Sequence, residues 1–191
     1  SDHWNRTPGT KLSLTTYTNA DEVELLVNGK SYGTKKNNKA SAKMRNQIRW
    51  EDVVYQNGYC EAIARTGGKI VARHKISTTG KAVALKAEVD NNAWQADGMD
   101  LQHIRVIAVD SKGRRVSNAV ADVTVTVEGD ATLAAMSNGN INSDELSVTD
   151  HQKLFNGSCL AILRAGTAPS PVMVTITAPG LKKAKLKLET K

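Results

Sequence analysis

Three closely spaced carboxylate pairs, Asp21-Glu22, Asp97 with Asp100, and Asp144-Glu145, are the first residues of this chain to weigh for chemistry. Cleaving a sugar bond takes two carboxyl groups held about 5–10 Å apart across the substrate. All three pairs sit in predicted turns, where Asp serves the backbone. The four histidines, His3, His74, His103 and His151, are scattered. No His-Glu-x-x-His, His-x-His or Cys-x-x-Cys spacing accompanies them, so no metal is expected. His74 alternates with Ile70, Ala72 and Ile76 and reads as a core or edge histidine. There is no Gly-x-Ser-x-Gly elbow and no phosphate-binding glycine loop, and no cofactor is expected.

Two features remain that suit a sugar. MSNGNINSDE, Met136 to Glu145, places Asn138, Asn140 and Asn142 with carboxylates between two apolar segments. Such a loop suits hydrogen bonding to sugar hydroxyls or oxygen ligation of Ca²⁺. It equally suits a long turn whose Asn and Gly residues supply left-handed conformations. Trp94 follows Asn91-Asn92 and reads either as a surface platform for a sugar ring or as a strand-end plug. Trp50 alternates with Ile48 and is expected in a core. Trp4, beside His3, lies so near the start that it is expected to be exposed unless something covers it.

The elements that would position these residues are strands. KLSLTTYT, VALKAEVD, DVTVTVEG and the closing KAKLKLET alternate apolar with polar residues, the period of a half-buried strand. Glu22–Val27 and Lys30-Ser31-Tyr32 flank Asn28-Gly29, a strong hairpin signal because both turn residues need positive φ. A second hairpin is expected around Gly67-Gly68, with Ile70, Ala72, His74 and Ile76 on one face. Turns are expected at Ser111-Lys112-Gly113 and Pro179-Gly180. No segment keeps helical periodicity over ten residues. Short strands between regular turns predict an all-β chain of two tandem immunoglobulin-like β-sandwich domains, residues 1–80 and 81–191. The short junction around Thr79-Gly80 suggests a semi-rigid pair.

Composition narrows the function classes. At 191 residues with 40% hydrophobic and 24% charged content, the chain reads as globular. No apolar run approaches the ~18 residues of a membrane-spanning helix, so no membrane insertion is expected. Cys60 and Cys159 are too few for a zinc site or a disulfide framework and read as buried thiols. Net charge is +7, concentrated in the first 80 residues, which carry 13 Lys/Arg against 7 Asp/Glu. Much of it lies in Lys35, Lys36, Lys39, Lys43, Arg45 and Arg49. No stacking platform or nucleic-acid motif accompanies it, so it reads as a solvated face with no nucleic-acid partner.

Several of these segments together resemble a known family. Asp2-His3-Trp4-Asn5, YTNADEVELLVNGKSYG (residues 17–33) and Ile48-Arg49-Trp50 resemble the domain after the catalytic barrel in bacterial family-2 glycoside hydrolases of the β-galactosidase type. Ala96-Asp97-Gly98, Ser137-Asn138-Gly139-Asn140 and Phe155-Asn156-Gly157 resemble the next domain of the same enzymes. The resemblance implies a periplasmic, secreted or cell-surface parent that removes terminal β-galactosyl or related residues. In that family both catalytic glutamates lie on a (β/α)₈ barrel, one directly after an Asn. This sequence has no Asn-Glu pair, and such a barrel takes about 250 residues. The chain itself is therefore expected to be non-catalytic. It would serve as structural support or cleft rim for that catalytic domain, with His3 and Trp4 docking onto it. The competing readings are an independent carbohydrate-binding module, using Trp94, Asn138, Asn140 and Asn142, and an immunoglobulin-like cell-surface adhesin or spacer.

Overall fold

The computed structural model describes residues 3–90 and 93–191. Asp2 of the N-terminal motif and Asn91-Asn92 before Trp94 lie outside the described residues. The chain divides into two compact units, residues 3–78 and Thr79–Lys191. Every regular element is a strand, as the period-two alternation predicts.

The first unit has strands β1 (Lys11–Tyr17), β2 (Glu22–Val27), β3 (Lys30–Lys36), β4 (Gln47–Val54), β5 (Tyr59–Thr66) and β6 (Lys69–Ser77). β1 and β4 form a two-stranded sheet; the other four form a sheet in the order β3-β2-β5-β6. The expected hairpin joins β2 to β3. Asn28 and Gly29 take φ of 50° and 81°, the left-handed pair that a type I′ turn requires. Val23, Leu25 and Val27 then point inward with Ile48, Trp50, Val53, Tyr55 and Cys60 to form the core. Each such apolar side chain contributes about 1.5–3 kcal/mol by leaving water.

β6 corrects one expectation. Ile70, Ala72 and His74 do not share a buried face, and residues 69–75 are all exposed. Val71 is the extra residue of a bulge, because Ala64 faces Ala72 while Arg65 faces Ile70. β6 is also the outermost strand, and a two-stranded sheet cannot cover a four-stranded one.

The second unit has β7 (Ala84–Val89), β8 (Leu101–Val109), β9 (Asp122–Glu128), β10 (Ala131–Ser137), β11 (His151–Lys153), β12 (Ser158–Ala165), β13 (Pro171–Ala178) and β14 (Leu181–Glu189). Their order is β10-β12-β8-β7-β14-β13-β9-β11. β7 pairs antiparallel with β8 along its length and parallel with β14 at Ala84 and Lys182. It joins two half-sheets that enclose one core. Ile104, Val106 and Ala108 of β8 meet Val123 and Val125 of β9, Leu163 of β12 and Val172, Val174 and Ile176 of β13 there. The architecture is an all-β, sandwich-like one, with no helix among the described residues.

Candidate functional site

The Asn-rich loop between β10 and β11 is built by its own side chains. Asn138 Oδ1 accepts from the Asn140 backbone N–H at 2.9 Å, and Asn140 Oδ1 accepts from that of Asn142 at 3.1 Å. These are successive Asx turns, in which a short amide stands in for backbone. Gly139 between them has φ +74°. The Met136 N–H donates to Ser147 O at 2.8 Å and fastens the far side of the loop to β10.

Glu145 is the hub of this loop. Its Oε2 accepts from Asn138 Nδ2 (3.1 Å), Ser143 Oγ (3.0 Å) and Gln152 Nε2 (3.0 Å). Its Oε1 accepts from the Lys153 N–H at 3.2 Å. Burial pushes its acidity down, but the donors of Lys153, Ser143 and Gln152 outweigh burial and hold the carboxyl below its ordinary range. The group is a carboxylate at neutral pH; burial, to which its charge adds, pushes the Cys159 thiol up to about 12.

A cleft of about 240 Å³ opens beside it, lined by Ser137, Asn138, Asn140, Ser143, Glu145 and Gln152. Ile141, Leu146 and Val148 stand exposed on the same loop. The cleft can accept hydroxyl groups. It is poorly suited to Ca²⁺, because the carboxylate that would bind the cation is filled by N–H and O–H donors. Among the described residues no three His, Cys, Asp or Glu side chains are grouped to hold a metal.

The other candidate residues fall elsewhere. Trp94 is not a platform: it is 1% exposed, and its Nε1 donates to Asp100 O at 3.0 Å. The reason lies in the Ala96-Asp97-Gly98 turn. Asp97 Oδ1 accepts from the N–H groups of Met99 and Asp100, and Asp100 Oδ2 accepts from Gln95, so the loop closes over the indole. Trp94 is the strand-end plug. Asn138 and Asn140 are occupied within the loop, and only Asn142 presents an amide without a hydrogen bond among the described residues.

Trp4 corrects a second expectation. It is 1% exposed within this chain, packed against Tyr55 with ring centroids 5.1 Å apart. Its Nε1 donates to Gln56 O at 3.0 Å. His3 is half-buried with the Arg6 guanidinium 2.8 Å from its ring. No external cover is needed for Trp4, and it offers no apolar surface for docking.

Asp110 is a carboxylate that spacing alone does not single out. It is 3% exposed at the head of the predicted Ser111-Lys112-Gly113 turn. Arg114 grips it through Nε and Nη2 at 3.0 and 2.7 Å, and the Gly80, Arg114 and Lys112 N–H groups complete the set. The Arg114 guanidinium, helped by these N–H groups, holds the carboxyl far below its usual range. A depressed folded pKa adds stability above the unfolded value of about 4 and loses it as pH falls through the folded value. The second unit should therefore lose melting temperature progressively below about pH 4. Asp110→Asn should lower it at pH 7 and flatten that acid-side slope, read by thermal unfolding from pH 7 to 2.

A family model described as glycoside hydrolase family 2 C-terminal domain 5 matches residues 85–187. Another, described only as a domain of unknown function, matches residues 9–72. A curated β-galactosidase of Bacteroides ovatus is 37% identical over 97% of this chain, which covers 21% of that protein. A curated putative β-glucuronidase of Formosa agariphila is 30% identical over 92% of the chain, covering 17% of its length. The chain thus spans about a fifth of the curated relatives it matches. Among solved structures, a glycosyl hydrolase family 2 member from Bacteroides cellulosilyticus aligns over 100% of this chain and 24% of its own, with TM-score 0.92 and 33% identity. With a family match over more than half its length and relatives over nearly all of it, the chain belongs to the C-terminal domains of glycoside hydrolase family 2.

Proposed function

We propose that this chain supports, or borders the substrate cleft of, the catalytic domain of a β-galactosidase-type glycoside hydrolase and does not itself break glycosidic bonds. The observation that carries this reading is the state of its carboxylates. A glycosidase needs one carboxyl group whose pKa is raised so that it can donate a proton. Among the described residues the shifted carboxylates, Asp21, Glu24, Glu88, Asp97, Asp110, Glu145 and Asp150, all move the other way. Each is lowered by hydrogen-bond donors that fold its own loop or strand or, for Asp21 and Glu24, tie it to neighbouring strands and loops. The burial of Trp4, Trp50 and Trp94 also removes the tryptophan platforms on which an independent sugar-binding module would rely.

Two measurements test the proposal. The 191-residue chain, incubated with p-nitrophenyl β-galactoside and β-glucuronide, should release nitrophenol no faster than buffer. Saturable turnover abolished by Glu145→Gln would overturn the non-catalytic reading. Removing the matching segment from the Bacteroides ovatus β-galactosidase should lower the melting temperature and kcat/KM of what remains. An enzyme unchanged in both would remove the supporting role.

A further inference from the structure

The basic character of the first unit has a single source. From Leu25 to Trp50 there are seven Lys or Arg residues and no Asp or Glu. The other 19 cations of the chain equal its 19 acids, so this stretch carries the whole net charge of +7. The fold gathers it on one border of the sandwich. β3 is an edge strand, and Lys35 reaches from it to the Arg49 carbonyl of β4 at 2.7 Å, its ammonium 5.7 Å from the Trp50 ring centre. The loop between β3 and β4 is closed by Asn37. Its Nδ2 donates to Thr18 O and Ala20 O, and its Oδ1 accepts from the Asn46 N–H.

All seven cations are exposed. Lys39 and Arg49 pair with Asp21 and Glu51, acids from outside the stretch. Lys30, Lys36, Lys43 and Arg45 have no carboxylate partner among the described residues. Lys30 lies at the far end of β3, by the β2–β3 turn, whereas Lys36, Lys43 and Arg45 belong to the loop end, at whose mouth Tyr17, 76% exposed, pairs through its backbone with Gln47. Glu22 faces Lys36 across the β2–β3 pair, and Asp21 and Glu51 offset Lys39 and Arg49; the cations left in excess repel one another and raise the local concentration of anions. An open strand border, unlike a closed pocket, suits an extended polymer. An exposed ring among cations adds a face for stacking.

We propose that this border binds an acidic polysaccharide, with Lys36, Lys43 and Arg45 taking its uronate carboxylates or sulfate esters and Tyr17 taking the face of a sugar ring. The choice of a glycan over a nucleic acid rests on the family membership shown above, not on the supporting role.

Affinity electrophoresis of the whole chain through gels containing polygalacturonate, chondroitin sulfate or neutral galactan tests this, with a DNA duplex as competitor. Retardation by one or both acidic polymers and not by galactan is expected; retardation by polygalacturonate shows that carboxylate suffices, and retardation by chondroitin sulfate alone shows that sulfate is required. Retention should weaken at least about tenfold in Lys36→Glu/Lys43→Glu/Arg45→Glu and fall steeply with salt. Tyr17→Ala should weaken it severalfold without changing the salt dependence. Free migration of the wild-type chain in both acidic gels would overturn the proposal. So would equal retention by galactan. DNA competition at equal charge concentration, together with an unaffected Tyr17→Ala variant, would reassign the border as a general polyanion surface. None of these outcomes bears on whether the chain supports a catalytic domain.

Discussion

Replacing Trp4 with alanine is expected to destabilise the first unit by about 3–5 kcal/mol, the range for truncating a buried aromatic side chain. That is a large part of the ~5–15 kcal/mol by which a domain is folded. Trp4 precedes the first strand, yet its ring is closed over by Tyr55 and its Nε1 is fixed to Gln56 O. Alanine would leave a cavity between the N-terminal segment and the end of β4 and orphan the carbonyl. Trp4→Phe should recover most of the packing and none of the hydrogen bond, so it should fall between. Amide exchange in β2 and β5, whose Val23, Leu25 and Cys60 share the same core, reads the effect. Unchanged exchange in Trp4→Ala would mean that Trp4 contributes nothing here and awaits a cover from elsewhere.

The second large effect is expected at Gly157. Asn156 and Gly157 have φ of 49° and 71°, and Phe155 and Ser158 exchange both backbone hydrogen bonds around them. This is the same turn type as Asn28-Gly29. The surroundings differ. A Cβ on Gly29 would find the Tyr59 hydroxyl at 3.6 Å, an ordinary contact. A Cβ on Gly157 would lie 2.2 Å from the Val116 carbonyl oxygen, which is backbone and cannot rotate away. Gly29→Ala should thus cost about 1 kcal/mol, the left-handed penalty alone. Gly157→Ala should cost about 3 kcal/mol, because the clash adds to that penalty. Arg115 tightens the constraint by donating to Asn156 O at 2.6 Å. Thermal unfolding of the two variants separates backbone preference from crowding, and equal losses would disprove the crowding.

These two turns show how far sequence carries. Asn28-Gly29 and Gly67-Gly68 announce their hairpins because positive φ leaves few residue choices. Val123, Val125 and Leu85 announce their faces because alternation maps directly onto a pleat. β6 departs from its alternation, since one bulged residue, Val71, breaks the pattern and an edge position removes the cover. β11 is only His151–Lys153, too short to show a period. Trp4 was legible as aromatic but not as buried, and for Trp94 the sequence left surface platform and strand-end plug both open. What buries them, Tyr55 with Gln56 and the loop reaching Asp100, is set by closure of the chain and not by neighbouring spacing. The Asn138–Asn142 loop was legible as a feature. Its organiser, Glu145, was visible only as half of a carboxylate pair, although asparagines at every second position already mark a ladder of Asx turns.

The parallel meeting of β7 and β14 has a mechanical consequence. They are the first and last strands of the second unit, joined at Ala84 and Lys182, with the Lys182 N–H donating to Val83 O at 2.9 Å. Tension between the two ends of this unit drags these strands in opposite directions along a shared axis. The joint, one registered pair with the Lys182–Val83 bond, is loaded in shear. Lys191, bonded through N–H to Trp94 O and through its carbonyl to Ala96 N–H, adds a latch at the pulled end. The first unit ends instead in β6, a free outer arm of a hairpin that tension peels from β5 one pair at a time. Under tension the two units are therefore loaded differently, by peeling at β6 in the first and by shear at β7 and β14 in the second.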